Sequence, residues 1–149
     1  MSDPIIVGWR EVVDLPEWGV RRMRAKLDTG ARTSALHVAD LVALPGGLVS
    51  FDVVLSRRRA DRRIRVETHV VRTARVRSTT GVTTLRPVVR TRLRLGHFER
   101  EIEVSLVDRG PMIHRMLIGR SGLAGLVVAG DHRYLVSRAP RPRRARGLP

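Results

Sequence analysis

The chain has 149 residues, which is enough for one domain with its own hydrophobic core. It contains no cysteine, which excludes disulfides and thiolate metal sites, and its first residues lack the layout of a signal peptide. No apolar run approaches the roughly 20 residues of a membrane-spanning helix. We therefore expect a soluble, cytoplasmic protein with no membrane partner.

The net charge is strongly positive, because 29 basic residues stand against 14 acidic ones, and this gives a formal charge of +15. Such an excess suits an acidic partner such as a nucleic acid. The arginines are spread over the whole chain, however, and often alternate with apolar residues, which is typical of solvent-facing strand positions. Aromatic residues for base stacking are scarce. The pattern favours exposed strand faces, and a nucleic-acid surface stays open as the less favoured interpretation.

The first clear element is a strand over residues 20–27, where apolar and basic residues alternate with a period of two. This strand ends at Asp28, and Asp28-Thr29-Gly30-Ala31 has the composition of a tight turn. Gly30 has no Cβ, so backbone amides can approach the carboxylate of Asp28 closely. The short hydroxyl of Thr29 can form local hydrogen bonds. The sequence therefore predicts a carboxylate presented by a turn directly after a half-buried strand.

Alternation returns over residues 63–70 and slips by one position at Val70-Val71, as a β-bulge would allow. Two further alternating runs, within residues 92–106, flank Gly96-His97, which predicts a β-hairpin. Arginines on one of its strands and glutamates on the other are placed to pair across the hairpin. No helical period is sustained, and the best candidate for a helix is one or two turns near Arg120.

The last twelve residues, 138–149, are rich in arginine and proline and contain nothing to bury. Such a segment repels itself and lacks the apolar area needed to fold. We therefore divide the chain into a folded domain, residues 1–137, and a disordered basic tail, residues 138–149. No internal repeat is visible, so two duplicated lobes in one chain are not expected.

Residues 26–37, which read KLDTGARTSALH, resemble the signature of the bacterial retropepsin-like aspartic peptidases. That family is also labelled ATP-dependent zinc proteases and is associated with ATP-grasp systems that modify ribosomal proteins. Four further segments match in the expected order: GWRE at 8–11, VRSTTG at 76–81, MLIGR at 116–120 and YL at 134–135. Together these segments span most of the chain outside the tail.

The resemblance implies an all-β fold, a single-lobe closed β-barrel with one short helix near its C-terminal end. It also implies a homodimer in which two Asp28 carboxylates, one from each subunit, activate a water molecule to hydrolyse peptide bonds. The partners would be a protein or peptide substrate, a second copy of the chain and an ATP-using protein. Neither a cofactor nor a metal is needed for this chemistry.

The resemblance also assigns roles to individual residues. Asp28 is the catalytic acid and base, Thr29 braces the paired loops, Gly30 gives backbone access to the carboxylate, and Ala31 lines the cleft. A flap that closes over substrate falls on four residues: Ser78, Thr79, Thr80 and Gly81.

Three further positions lie beside the expected catalytic loop. Gly119 and Arg120 end the strand that crosses this loop and are expected to support it structurally. Arg32 occupies a position at which viral retropepsins have an acidic residue. In those proteins the acidic residue pairs with the arginine that matches Arg120. That internal salt bridge cannot form here, and Arg32 is expected to contact substrate instead.

Two functional hypotheses stay open. The first is the aspartic endopeptidase described above. The second is a non-catalytic or latent module with the same fold, which uses its positive charge to bind RNA or an acidic protein. A metallopeptidase is not favoured, because the five histidines lack the spacing of zinc ligands, and the chain has no glycine-rich phosphate loop of its own. The sequence does not identify the substrate.

Overall fold

The computed structural model describes residues 3–56, 58–59, 61–77, 80–108 and 114–138. Within these ranges the strands are β1 (Ile5–Gly8), β2 (Arg10–Leu15), β3 (Val20–Leu27), β4 (Ser34–Leu44), β5 (Leu48–Val54), β6 (Arg63–Arg77), β7 (Thr83–Leu95), β8 (Phe98–Val107), β9 (Met116–Ile118) and β10 (Leu126–Ala129). Short 3-10 turns occupy Pro16–Trp18, Pro45–Gly47 and Arg120–Gly122. The helix expected near Arg120 is thus a single 3-10 turn, and the described ranges contain no α-helix.

Most of the strands form one sheet that closes on itself, in the order β2-β3-β9-β4-β5-β6-β7-β8. Closure comes from β4, which also pairs with β8 in parallel, and from β2, which meets β7 at Asp14 and Arg94. β1 and β10 form a separate two-stranded parallel sheet. The expected all-β, single-lobe barrel is confirmed.

The period of two in the sequence is the period of the barrel core. In β3, Met23, Ala25 and Leu27 are buried, whereas Arg22 and Arg24 on the opposite face are exposed. Each large apolar side chain removed from water contributes roughly 1.5–3 kcal/mol. The largest fully buried apolar side chains are Phe51, Leu15, Met23, Leu36, Leu93, Leu95, Leu106, Met116 and Ile118. They come from strands all around the sheet, so burial of one face holds the barrel closed.

The predicted hairpin is formed by β7 and β8, with Leu95 opposite Phe98 at its closed end. Its outer face carries the expected ion pairs: Arg92 Nε to Glu99 Oε1 at 2.8 Å, and Arg90 Nε to Glu101 Oε1 at 3.1 Å. The predicted bulge is also present, because the β6–β7 register shifts between Val70 and Arg72. Much of the positive charge on this face is therefore neutralised locally.

β6 and β7 extend beyond the barrel as a two-stranded arm, which consists of residues 72–77 and 80–87. The reason is that β5 pairs with β6 only as far as His69, and β8 pairs with β7 only from Val88 onward. The arm exposes apolar side chains near its tip, since Val82 is 61% exposed and Leu85 is 64% exposed. Two paired strands without a core of their own are only marginally stable, so the arm is the least supported part of the described fold.

The C-terminal part of the chain returns to the start of the barrel. Residues 135–137 follow β10 as a bend and bond to β2. The basic tail lies outside the described residues except for Arg138, so its disorder and the division at residue 137 stay predictions. In the described ranges, no helix is long and apolar enough to cross a membrane.

Candidate active site

The strand order brings β9 between β3 and β4, directly against the turn that contains Asp28. β9 runs parallel to β3, with Ile118 opposite Leu27, and the Asp28 amide donates to the Ile118 carbonyl at 2.8 Å. On the other side, the Leu27 amide donates to the Trp9 carbonyl at 2.8 Å. The backbone that enters the turn is therefore held from two directions before it reaches the carboxylate.

The turn itself is closed by backbone groups. The Ala31 amide donates to the Asp28 carbonyl at 3.2 Å, and the Gly30 amide donates to Asp28 Oδ1 at 2.9 Å. A Cβ at Gly30 would lie 3.1 Å from Oδ1, which is closer than side-chain carbons normally come. Gly30 thus lets a backbone donor approach the carboxylate and fix its orientation.

Gly119 and Arg120 hold the loop from the β9 side. The Arg120 amide donates to the Ala31 carbonyl at 2.8 Å, and Arg120 Nη1 donates to the Thr29 carbonyl at 3.0 Å. A Cβ at Gly119 would lie only 2.5 Å from the Thr33 carbonyl oxygen, so no other residue fits there without a backbone shift. Arg120 therefore binds a loop carbonyl, and the loop is fixed largely through its main chain.

The second oxygen of Asp28 has no hydrogen-bond donor close to it among the described residues. Its nearest charged partner is Lys26, whose Nζ lies 4.0 Å from Oδ2. The two side chains are 43% and 27% exposed, so water screens this pair and it contributes little stability. The carboxylate is therefore oriented through Oδ1, while Oδ2 accepts no hydrogen bond from the described residues and the side chain is partly exposed, as suits a group that exchanges protons with water.

A groove of about 470 Å³ begins where the loop ends and runs beneath the base of the β6–β7 arm. Arg32 and Thr33 line it next to the loop, and Arg72 and Ala74 line it from the arm. Its other lining residues are Ser34, Val88, Arg90, Glu101, Ile102, Glu103, Ser105 and Ser121. Arg32 is exposed and has no carboxylate within ion-pair distance in the described part of the chain.

The sequence did not indicate that Arg72, Arg90 and Glu103 line the groove. Arg72 Nε donates to Glu103 Oε1 at 2.9 Å, and this hydrogen bond is the main reason that the pKa of Glu103 is lowered. Arg90 contacts the same glutamate at 3.5 Å. Alternating arginines and glutamates indicate only a solvated strand face, and which of them border a groove depends on the β6–β7–β8 register.

Of the four residues expected to form a flap, Thr80 and Gly81 lie at the tip of the arm. Thr80 and Gly81 are exposed in the turn before β7, and Gly81 has a φ of 84°, which glycine adopts without strain. Ser78 and Thr79 lie outside the described residues. The base of the arm, through Arg72 and Ala74, lines the same groove as Arg32 and Thr33, which follow the Asp28 turn.

A second carboxylate, Glu11, is fully buried and was assigned no role from the sequence. It accepts hydrogen bonds from the amides of Gly8 at 2.7 Å and Leu135 at 2.9 Å, and from the amide and hydroxyl of Ser137 at 3.1 and 2.6 Å. These bonds tie the C-terminal bend to the start of the barrel. Among the described residues, no three His, Asp or Glu side chains gather as metal ligands would.

A closed single-lobe barrel, an Asp-Thr-Gly turn and a late strand crossing behind that turn define a retropepsin-like domain. The chain belongs to the RimB-like family, described as retropepsin-like aspartic endopeptidase RimB, whose family model matches residues 6–135. A crystal structure of a Legionella pneumophila protein of unknown function has the same fold, with a TM-score of 0.72 and 24% identity over 89% of this chain and 98% of that one.

The chain is also similar to parts of longer proteins. A protein of Parasynechococcus marenigrum named "probable alpha-L-glutamate ligase" is 36% identical over 138 residues, which cover 89% of this chain and 30% of that protein. A protein of Shewanella pealeana with the same name is 31% identical over 128 residues, covering 83% of this chain and 28% of that protein. The chain thus spans less than a third of the length of these curated relatives.

Proposed function

We propose that this chain is one half of an aspartic endopeptidase, which becomes complete when two copies bring their Asp28 carboxylates together. The observation that carries this proposal is the setting of Asp28. Its turn is fixed by main-chain bonds to Ile118 and Arg120, its Oδ1 is oriented by Gly30, and its Oδ2 is accessible. One chain supplies one such carboxylate, and the family's chemistry needs two.

The mechanism follows from placing two carboxylates within hydrogen-bonding distance. The pair holds one proton, because two adjacent negative charges repel strongly, as is general for aspartic proteases. The ionised carboxylate removes a proton from water as its oxygen attacks the peptide carbonyl carbon, and the protonated one donates a hydrogen bond to the carbonyl oxygen. The C–N bond then breaks as a proton passes to the leaving amine.

The other loop residues take supporting roles in this proposal. The Thr29 carbonyl accepts a hydrogen bond from Arg120. The Thr29 side chain is exposed, and its hydroxyl would contact the second loop of a pair. Ala31, whose carbonyl accepts a hydrogen bond from the Arg120 amide, is assigned to the wall of the cleft in this proposal. The arm, with Thr80 and Gly81 in its turn, is long enough to act as the flap, and the proposal extends that role to Ser78 and Thr79.

We infer that the substrate is an acidic, glutamate-containing peptide. Relatives named "probable alpha-L-glutamate ligase" match this chain over about 30% of their length, and that name supports a substrate that contains glutamate. The exposed guanidinium of Arg32 beside the loop matches a substrate carboxylate, for which arginine offers two parallel hydrogen bonds. An ATP-using ligase is then the expected partner, since it would make what this domain cleaves.

The test is cleavage of glutamate-rich peptides by the purified chain and by an Asp28→Asn variant, read by mass spectrometry. The variant should lose about a thousandfold or more in rate, because it removes the group that activates water. Asp61→Asn, at a side chain that is 74% exposed, is the matched control and should cleave normally. Undiminished cleavage by a folded Asp28→Asn variant would refute the proposal.

The second candidate function is a binding module, and the arm favours it. Arg75, Arg77 and Arg86 have no ion pair among the described residues, unlike the arginines nearer the barrel. Binding of RNA or an acidic protein through them should weaken steeply with salt and after removal of residues 138–149. Binding that is insensitive to salt would argue against this function.

A further inference from the structure

The side chains of Trp9, Arg10 and His114 meet where the chain enters β9. Arg10 Nε donates to His114 Nε2 at 3.0 Å, and the His114 ring meets the Trp9 ring edge to face at a centroid distance of 6.2 Å. The Arg10 guanidinium also lies over the Trp9 ring, 4.7 Å from its centre. This Trp9–Arg10–His114 cluster has no role in the proposed chemistry.

The cluster is joined to the active-site turn through the backbone. Arg10 lies opposite Lys26 in the β2–β3 register, and the Trp9 carbonyl accepts the Leu27 amide, one residue before Asp28. A displacement of Trp9 and Arg10 therefore acts directly on the last residues of β3. Because Asp28 is oriented by main-chain bonds, its carboxylate moves with them.

The charges around His114 all oppose its protonation. Burial, followed by the charges of Arg10, Lys26, Arg24 and Arg115, lowers the pKa of His114 below its ordinary value of 6.5. These cations come from β2, from β3 and from the segment before β9. At neutral pH the ring is uncharged, and its Nε2 can accept the hydrogen bond from Arg10.

We propose that His114 is a positioning residue for Asp28, because its neutral ring holds Arg10 and Trp9 in the place that supports the end of β3. Protonation puts a hydrogen on Nε2, which ends the bond from Arg10 and adds another cation to the cluster. If the chain has the proposed peptidase function, on which this inference rests, the rate of cleavage should fall at acidic pH as His114 becomes protonated.

The structural part is tested by NMR titration of the full chain from pH 7.5 to 5. The Leu27 amide resonance should shift with the same midpoint as the His114 ring in the wild type. In His114→Gln, whose side-chain oxygen still accepts from Arg10 but does not titrate, that shift should disappear. His97→Gln, at an exposed turn position, should behave like the wild type. A Leu27 amide that does not follow the His114 ring overturns the proposal, even if the variant fails to fold.

The functional part is tested by the pH profile of cleavage. Wild-type cleavage should fall about tenfold for each pH unit below the His114 midpoint, whereas His114→Gln should keep its rate there. Identical acid limits in the two proteins would overturn the proposal. If neither protein cleaves peptides at any pH, the peptidase function fails, and the Leu27 titration still decides whether His114 supports the turn.

Discussion

The two carboxylates near the start of the barrel, Glu11 and Asp28, have opposite surroundings. Glu11 is fully buried and receives hydrogen bonds from backbone amides on both sides and from the Ser137 hydroxyl. Asp28 is partly exposed and receives one close hydrogen bond, from Gly30. Glu11 lies within β2 and Asp28 directly follows β3, and the first acceptor is saturated whereas the second is not.

The difference separates a structural carboxylate from one that is available for chemistry. A buried carboxylate is tolerated when several donors replace its lost hydration, and once all lone pairs are engaged it cannot also serve a substrate. Oδ2 of Asp28 accepts no hydrogen bond from the described residues and so adds no such bond to stability. The turn is stabilised instead by main-chain hydrogen bonds. Stability should therefore depend on Glu11, and activity on Asp28.

The largest expected effect on stability comes from Glu11→Gln. The amide places an NH₂ group against backbone donors, so the free energy of unfolding should fall by about 3 kcal/mol. Urea unfolding measures this loss, and Glu17→Gln, at an exposed position, should change it by no more than about 0.5 kcal/mol. A Glu11→Gln variant as stable as the control would show that the buried bonds do not anchor the C-terminal bend.

Gly119→Ala should destabilise somewhat less, by about 2 kcal/mol, because its Cβ would lie 2.5 Å from the Thr33 carbonyl oxygen and force the loop to move. Gly130→Ala is the matched control, since a Cβ there meets nothing within 4 Å. Thermal unfolding compares the two variants. Equal melting temperatures would mean that Gly119 does not pack closely against the Thr33 carbonyl.

A smaller effect should appear as a pH dependence that arises from His37 in β4. Burial, then the charge of Arg115, lowers the pKa of His37 below its ordinary value of 6.5, although Asp108 acts in the opposite direction. The unfolded chain therefore binds a proton first, so this contribution to stability is present above pH 6.5 and is lost as the pH falls below it. Melting temperatures from pH 8 to 5 should fall less in His37→Gln than in the wild type. An equal fall would contradict this assignment.

The smallest effect on stability should come from Asp28→Asn, which is the other half of the comparison. The amide oxygen can still accept from Gly30, and the screened pair with Lys26 is weak, so unfolding should change by no more than about 0.5 kcal/mol. The same urea series as for Glu11→Gln provides the measurement. A loss above about 1 kcal/mol would mean that Asp28 also has a structural role.

Sequence patterns predicted the local features of this contrast and missed the distant ones. β3 and its turn were predictable, because strand alternation and the composition around Gly30 are properties of neighbouring residues. Glu11 was not, since a glutamate in a strand normally faces solvent, and its burial depends on donors at Leu135 and Ser137, more than a hundred positions away.

Dependence on distant residues also explains why only part of the groove could be predicted. Arg32 follows the loop directly and was singled out from the sequence, whereas Arg72 and Glu103 border the groove only because β6, β7 and β8 pair in one particular register. The short helix expected near Arg120 ends after one 3-10 turn, and β10 begins at Leu126 to pair with β1. Long-range pairing is not encoded in any local period.

The claim that one active site needs two copies of Asp28 is tested most directly by mixing. Wild-type chain is equilibrated with a ninefold excess of Asp28→Asn chain, and cleavage is measured per wild-type chain. If each site needs two aspartates, most wild-type chains pair with an inactive partner, and the rate per chain falls to about a tenth. An equal excess of Asp61→Asn chain should not lower it. A rate per wild-type chain that Asp28→Asn leaves unchanged would contradict the account.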